Sequence, residues 1–173
     1  GASGVAVILE LAKIMKKNPP PIGVSLVLFD AEDYGTSADS WSYAKGSQFF
    51  AQNIPINYPM YAINLDMIAD REPEFYIERY SYQQNPTLVL ELWELAESLN
   101  LDTFKKQAKY TIFDDHVPLY QMAGIPAIDI IDFDFPNEKT NYHHTHQDIV
   151  QNCSPKGLGE VGTLMLNHIY NIK

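Results

Sequence analysis

Cysteine is nearly missing from this chain: Cys153 stands alone among 173 residues. No intrachain disulfide can form, and a lone cysteine reads as a small packed residue before it reads as a nucleophile. Basic residues are scarce as well. Twelve Lys and Arg face 22 Asp and Glu, giving a net charge of −10. That balance argues against nucleic acid and against an anionic membrane as partner, because both reward a basic surface. No apolar run is long enough to span a bilayer. A Gly-rich phosphate loop and a Gly-x-Ser-x-Gly elbow are both missing, so nucleotide binding and serine hydrolysis lose support.

What is present amounts to one domain, with 46% hydrophobic residues to fill one core. Residues 4–17 read as a helix. Val5, Ile8, Leu9, Ala12 and Met15 share a face, and Lys13, Lys16 and Lys17 gather at the end where the dipole favours cations. Pro19-Pro20-Pro21 stops it. Residues 24–29, 61–68 and 126–132 are apolar runs that read as strands buried on both faces. Residues 74–79 alternate weakly, as an edge strand does. Residues 43–52 read as a short helix. Asn85-Pro86 opens a longer one to Leu99, with Leu88, Leu92, Leu95 and Leu99 on one stripe. Ser154-Pro155 caps a last helix to about Tyr170. Strands alternating with helices predict a parallel or mixed sheet covered on both faces.

Acids cluster where these strands end. Phe29-Asp30-Ala31-Glu32-Asp33-Tyr34-Gly35 puts adjacent carboxylates after the first run. Asp66 ends the second, and Asp132 and Asp134 follow the third. One such acid is ordinarily a turn former or a cap. Several together carry more weight, because parallel strands bring their ends to one rim, where ligands bind in open α/β sheets. Adjacent acids repel unless a cation or a shared proton holds them. A divalent metal fits, with one carboxylate as ligand and the other moving protons. Asp66 adds a charge inside an apolar run, which is costly without a partner. Tyr142-His143-His144-Thr145-His146 offers imidazoles as metal ligands, or a solvated loop. Phe113-Asp114-Asp115-His116 offers helix caps, or acids sharing a proton with Glu32. Trp41 and Phe135 lie in the same loops, as core anchors or as walls for a substrate.

In order, Gly1-Ala2-Ser3-Gly4-Val5, the Glu32-Asp33 segment, Asn64-Leu65-Asp66-Met67, Asp114-Asp115-His116-Val117-Pro118, Gly124-Ile125-Pro126-Ala127 and Tyr142-His143-His144-Thr145 span the chain. Together they resemble the zinc aminopeptidase superfamily that includes the glutaminyl cyclases. The resemblance implies an α/β/α sandwich of three layers with a mostly parallel mixed central sheet. It makes residues 1–173 a single, partial zinc-exopeptidase-like catalytic domain lacking its N-terminal strands. Glu32 takes the role of general acid/base. Asp33 and His144 are implied zinc ligands. Asp66 is either a ligand of a second zinc or a hydrogen-bonding acid, and Asp114 holds Glu32. The partner is the N-terminus of a peptide substrate. Bacterial family members are often exported, and an extracytoplasmic location is the expectation by that analogy.

Departures from the pattern sharpen the expectation. The family has an Asp directly before Gly-Ala-Ser-Gly and a further upstream histidine, so the natural protein is expected to be longer. Asp33 and His144 alone leave a zinc short of the usual three protein ligands, so this chain is expected to bind zinc weakly or not at all and to be inactive by itself. Glu32-Asp33 in place of two Glu, and Asp114-Asp115-His116 in place of Ser-Asp-His, resemble the cyclase branch, above all its bacterial members. Trp41 and Phe135-Pro136 resemble that branch's pocket. His143 stands where cyclases usually place Trp. The implied activity is conversion of an N-terminal glutamine to pyroglutamate with release of ammonia. The alternatives are a zinc aminopeptidase and an inactive homologue or binding module that has lost its metal.

Overall fold

The computed structural model of the protein describes residues 1–55, 57–137 and 139–172. Along the chain run α1 (Ala2–Lys17), α2 (Lys45–Gln52), β1 (Ala62–Asp66), β2 (Phe75–Ile77), α3 (Arg79–Gln84), α4 (Pro86–Ser98), β3 (Phe104–Ala108), α5 (His116–Ala123), β4 (Ala127–Ile131), the short strands β5 (Pro136–Asn137) and β6 (Thr140–Asn141), and α6 (Pro155–Asn171). β1 pairs with β4 and β2 with β3, both in parallel, while β5 and β6 are antiparallel. β4 also touches β2. The result is an α/β/α sandwich whose strand layer is built from two parallel pairs, β1–β4 and β2–β3, with β5–β6 a separate antiparallel pair.

Alternation along two strands sets the layers. Successive strand side chains point to opposite faces. Ile128 and Ile130 of β4 join the larger core with Val7 and Leu11 of α1, Leu92 and Trp93 of α4, and Leu164 of α6. Ile63 and Leu65 of β1 pack against the same core. Ala127 and Ala62 turn the other way, to Leu119 of α5 and to Phe50 of α2. The odd positions of β4 and the even positions of β1 therefore share the second face, and the register sets Asn64 opposite Asp129. On the first face, the Trp93 indole is buried and donates to the carbonyls of Phe75 (3.2 Å) and Lys105 (3.1 Å), tying α4 to β2 and β3. Burying a side chain of this size contributes on the order of 1.5–3 kcal/mol.

α1 approaches the sheet closely because Gly4 has no side chain: a Cβ there would collide with the Leu65 carbonyl. Ser3 Oγ accepts from the Ile68 amide at 3.0 Å, so the start of α1 is pinned to the end of β1. This close approach rotates the helix from the face expected from its apolar spacing. Gly4, Val7 and Leu11 are buried, and Leu9 is 54% exposed.

Several elements differ from the sequence reading. Residues 24–29 form no strand. No described strand lies beside them, and Leu26 and Leu28 are 41% and 57% exposed. An extended segment becomes a strand only when a neighbour completes its ladder. The weak alternation of residues 74–79 resolves into β2, whose Phe75 and Ile77 are buried, followed by Glu78 as the cap of α3. Its partner β3 was hidden by Lys105 and Lys106, which an outer strand with an exposed face tolerates. In α4 the buried stripe is Leu88, Val89, Leu92, Trp93 and Ala96. Ser154 precedes α6 without capping it, because its hydroxyl donates to the Asp70 carbonyl at 2.7 Å.

Candidate metal and catalytic site

Three chain segments meet at the end of β1. The first is the loop that carries Glu32 and Asp33. Its backbone is clamped to the start of α2: Ala44 N donates to Glu32 O at 2.7 Å, Lys45 N to Ala31 O at 3.2 Å and Gly46 N to Asp30 O at 3.1 Å. Gly46 permits this, since a Cβ there would stand 2.5 Å from the Asp30 carbonyl oxygen. The second segment is Asp66 itself, followed by Met67 in the left-handed region (φ 49°), where the chain turns. Asp66 Oδ1 lies 2.9 Å from the Gly1 amino nitrogen. The third is the loop of residues 142–146. His144 Nε2 lies 2.7 Å from Asp33 Oδ1, with the two side chains 51% and 60% exposed. His143 stacks on His144 with ring centroids 3.7 Å apart, and its other neighbour is Phe133 at 5.4 Å. Burial and the adjacent His144 hold the His143 imidazole below its ordinary pKa.

The electrostatics of this rim centre on Glu32. Burial, then the charges of Asp114, Asp33 and Asp66, push its carboxyl up to about 8. Asp114 is buried and also raised, by burial and by Asp66 and Asp115. Asp115 is pushed up to about 6, again chiefly by burial. A cluster of acids with so little countercharge holds protons at neutral pH or attracts a cation.

Behind the rim lies a second, sealed cluster, of which sequence reading assigned Asp114 and left Asn64, His116, Glu78 and Asp129 without a role. Asn64 Nδ2 donates to Asp114 Oδ2 at 2.7 Å and to Asp129 Oδ1 at 3.2 Å. His116 Nε2 contacts Glu78 Oε2 at 3.2 Å, and its Nδ1 faces Asp129 Oδ2 at 3.8 Å. Glu78, His116 and Asp129 are each at most 1% exposed. Burial raises Glu78, but the His116 contact and the Ser81 and Tyr80 amides outweigh it and hold the carboxyl below its usual range. Burial drives Asp129 well upward. The signal for Asp129 was available: like Asp66, it is an acid inside an apolar strand. His116 and Glu78 gave no such signal.

The aromatic candidates separate. Trp41 meets Phe113 edge-on at 5.1 Å, and both line an open groove of about 510 Å³ with Tyr80, Thr111 and Gln121. Phe135 is 7% exposed and packs edge-on against Tyr142 at 5.6 Å, beside a cis peptide to Pro136. Asp132 and Asp134 do not join the rim. Asp132 accepts from the Glu74 and Asp134 amides at 3.0 and 3.1 Å, and burial pushes it up to about 7. Asp134 pairs with Lys109 at 2.6 Å.

The profile of Peptidase family M28 matches residues 1–169. The chain belongs to this family. The glutaminyl cyclase of Bacteroides thetaiotaomicron, solved with N-acetylhistamine, superposes with a TM-score of 0.94 at 31% identity, covering 100% of this chain and 62% of that one. A Zn-dependent exopeptidase from Parabacteroides distasonis superposes with a TM-score of 0.92 at 34% identity, covering 99% of this chain and 62% of that one. Aminopeptidase YwaD of Bacillus subtilis (strain 168) is 26% identical over 176 residues, covering 97% of this chain and 36% of the relative. The M28 chain thus spans about 62% of the solved relatives and about a third of the curated one. These relatives are a cyclase, an exopeptidase and an aminopeptidase, and the exopeptidase is Zn-dependent.

The M28 rim offers a donor set suited to zinc. Asp33, His143 and His144 each present one ligand atom, all within 4.8 Å of one another, and a carboxylate with imidazoles is a usual zinc environment. Among the described residues, no helix is long and apolar enough to cross a membrane.

Proposed function

We propose that the full-length protein is a zinc-dependent enzyme acting on peptide N-termini, and specifically a glutaminyl-peptide cyclotransferase. The observation that carries this reading is the place of Glu32, next in the chain to Asp33 with its 2.7 Å contact to His144, in a rim where burial and the charges of Asp114, Asp33 and Asp66 raise its carboxyl to about 8. A group titrating near neutrality is suited to accept and return a proton within one turnover. Zinc would be held by Asp33 and His144 with Asp66 alongside, and when bound there it supplies Lewis-acid polarisation of a carbonyl. The chain's own residues do the rest. The α-amine of an N-terminal glutamine attacks its own γ-carboxamide carbon. Glu32 takes the proton that the amine loses and delivers it to the departing nitrogen, which leaves as ammonia. Asp114 keeps Glu32 oriented. Trp41, with the groove it lines, receives the peptide, while His143, stacked on His144, borders the metal side and Phe135 supports that loop through Tyr142.

His143 favours the second reading, an aminopeptidase in which Glu32 takes a proton from water and the first peptide bond is cut. Incubating the zinc-loaded full-length protein with a glutaminyl and a leucyl peptide separates the two. Ammonia and a pyroglutamyl product are expected. Release of free leucine with no ammonia would assign the aminopeptidase, and an absence of bound zinc with neither product would assign an inactive homologue.

A further inference from the structure

We propose that Asn64, Asp129, His116 and Glu78 form a strut of positioning residues that fixes the Asp114 carboxyl at the rim. The proposal rests on the reading of Glu32 and Asp114 given above. It goes beyond it by assigning a role to four residues that touch neither substrate nor metal in that scheme.

One end of the strut is anchored and the other is not. Glu78 accepts from Tyr80 N at 3.0 Å, Ser81 N at 2.6 Å, Ser81 Oγ at 2.9 Å and Ile112 N at 3.0 Å. Its oxygens are nearly saturated, and the same Ser81 hydroxyl accepts from Asp129 N at 2.8 Å, which locks α3 to β4. His116 lies against this anchor through Nε2 and turns Nδ1 toward Asp129. Asp114, at the far end, has fewer restraints: the amide of Asp115 at 2.6 Å and the side chain of Asn64 at 2.7 Å. Asn64 is therefore the link that carries order from the anchored end to the acid at the rim.

The middle of the strut is loosely made. Among the described residues His116 Nδ1 and Asp129 Oδ2 have no hydrogen-bond partner although both are buried, and at 3.8 Å they face each other beyond hydrogen-bond reach. Buried polar groups with unmet capacity are costly. A purely apolar layer between α5 and β4 would hold the fold as well. Polar groups retained in such a place suit a task of orientation, as with the outer partners that aim metal ligands elsewhere. Donor atoms of Asp114, His116 and Asp129 also lie within 4.8 Å of one another, as metal ligands would. The Asn64 amide, however, already bridges the two carboxylates.

The test uses the full-length zinc-loaded protein with Asn64→Ala, Asp129→Asn and His116→Gln, compared with Glu32→Gln, at a temperature well below unfolding. The strut predicts that kcat falls on the order of 10–100-fold in the first three, with KM and zinc content unchanged. Asp129→Asn retains side-chain volume, and His116→Gln retains a donor toward Glu78, so these two keep the test decisive if Asn64→Ala does not fold. A merely structural network would lower the unfolding temperature and leave kcat alone, and that result overturns the proposal. So does a rise in KM at constant kcat, or the loss of a bound metal from Asp129→Asn, which would make the cluster a metal site. If Glu32→Gln itself keeps full activity, the reading of the rim fails first and the strut falls with it. A dead Glu32→Gln beside fully active strut variants removes the strut alone.

Discussion

Two histidine–carboxylate pairs in this protein are chemically alike and physically opposite. His144 and Asp33 meet at 2.7 Å with more than half of each side chain in water. His116 and Glu78 meet at 3.2 Å with essentially none. Water screens the first pair, so the contact is weak and can be given up to a metal. The second pair has no solvent to fall back on, and removing one partner strands the other in a low-dielectric interior. Exchange of ligands belongs to the first environment, and rigid support to the second.

The largest expected effect tests what lies between them. In the full-length protein Glu32→Gln lowers turnover on the order of 10²–10⁴-fold, read as kcat on a glutaminyl peptide. A variant retaining most of its activity would detach the rim from the chemistry. Next comes the sealed pair. His116→Ala is expected to destabilise the fold by roughly 3–5 kcal/mol, measured as the shift of a urea midpoint at constant slope. A cost below about 1 kcal/mol, the range of exposed pairs, would erase the contrast.

A third prediction concerns pH. Glu32, Asp132 and Asp115 have carboxyls raised in the folded state to about 8, about 7 and about 6. The folded chain therefore binds more protons than the unfolded one between the ordinary carboxylate range and these values. Stability is fully present below that range and is lost as pH rises toward 8. Urea midpoints of the metal-free chain should fall from pH 5 to pH 8, and a flat or rising profile would contradict the raised carboxyls. A fourth prediction concerns the metal. Zinc binding by this chain is expected to depend on the exposed Asp33, His143 and His144 donors and to be weakened strongly by His144→Ala, with calorimetry as the measure. Binding unchanged in His144→Ala would remove the rim as the metal site. The smallest effect is that of His144→Ala on stability without metal, within about 1 kcal/mol. A larger loss would mean that the exposed pair supports the fold after all.

Legibility in the sequence followed how local the cause was. Helices α1, α4 and α6 were readable because bounding prolines and apolar spacing act within a turn or two. The apolar runs of β1 and β4 were readable for the same reason. Residues 24–29 have an equally apolar run, yet a strand needs a neighbour, and nothing local reports whether one is there. β3 was missed because its lysines fit an outer position that only the assembled sheet defines. At the site, Glu32, Asp33, Asp66, Asp114 and His144 were picked out by motif. Asp129 was passed over although it carried the same signal as Asp66.

The sequence by itself determined the identity and order of the reactive groups, and that Asn64 and Asp66 share one face of a strand, since side chains alternate with a period of two. Only the tertiary structure decided which groups met. Asn64 reaches Asp129 across 65 residues because β1 and β4 pair in one register, and a slip by one residue would send either side chain into the apolar core. It also decided their electrical character. Whether an acid lies in water like Asp33, or among other acids like Glu32, depends on what distant segments bring alongside, and the cost of charge depends on that surrounding medium.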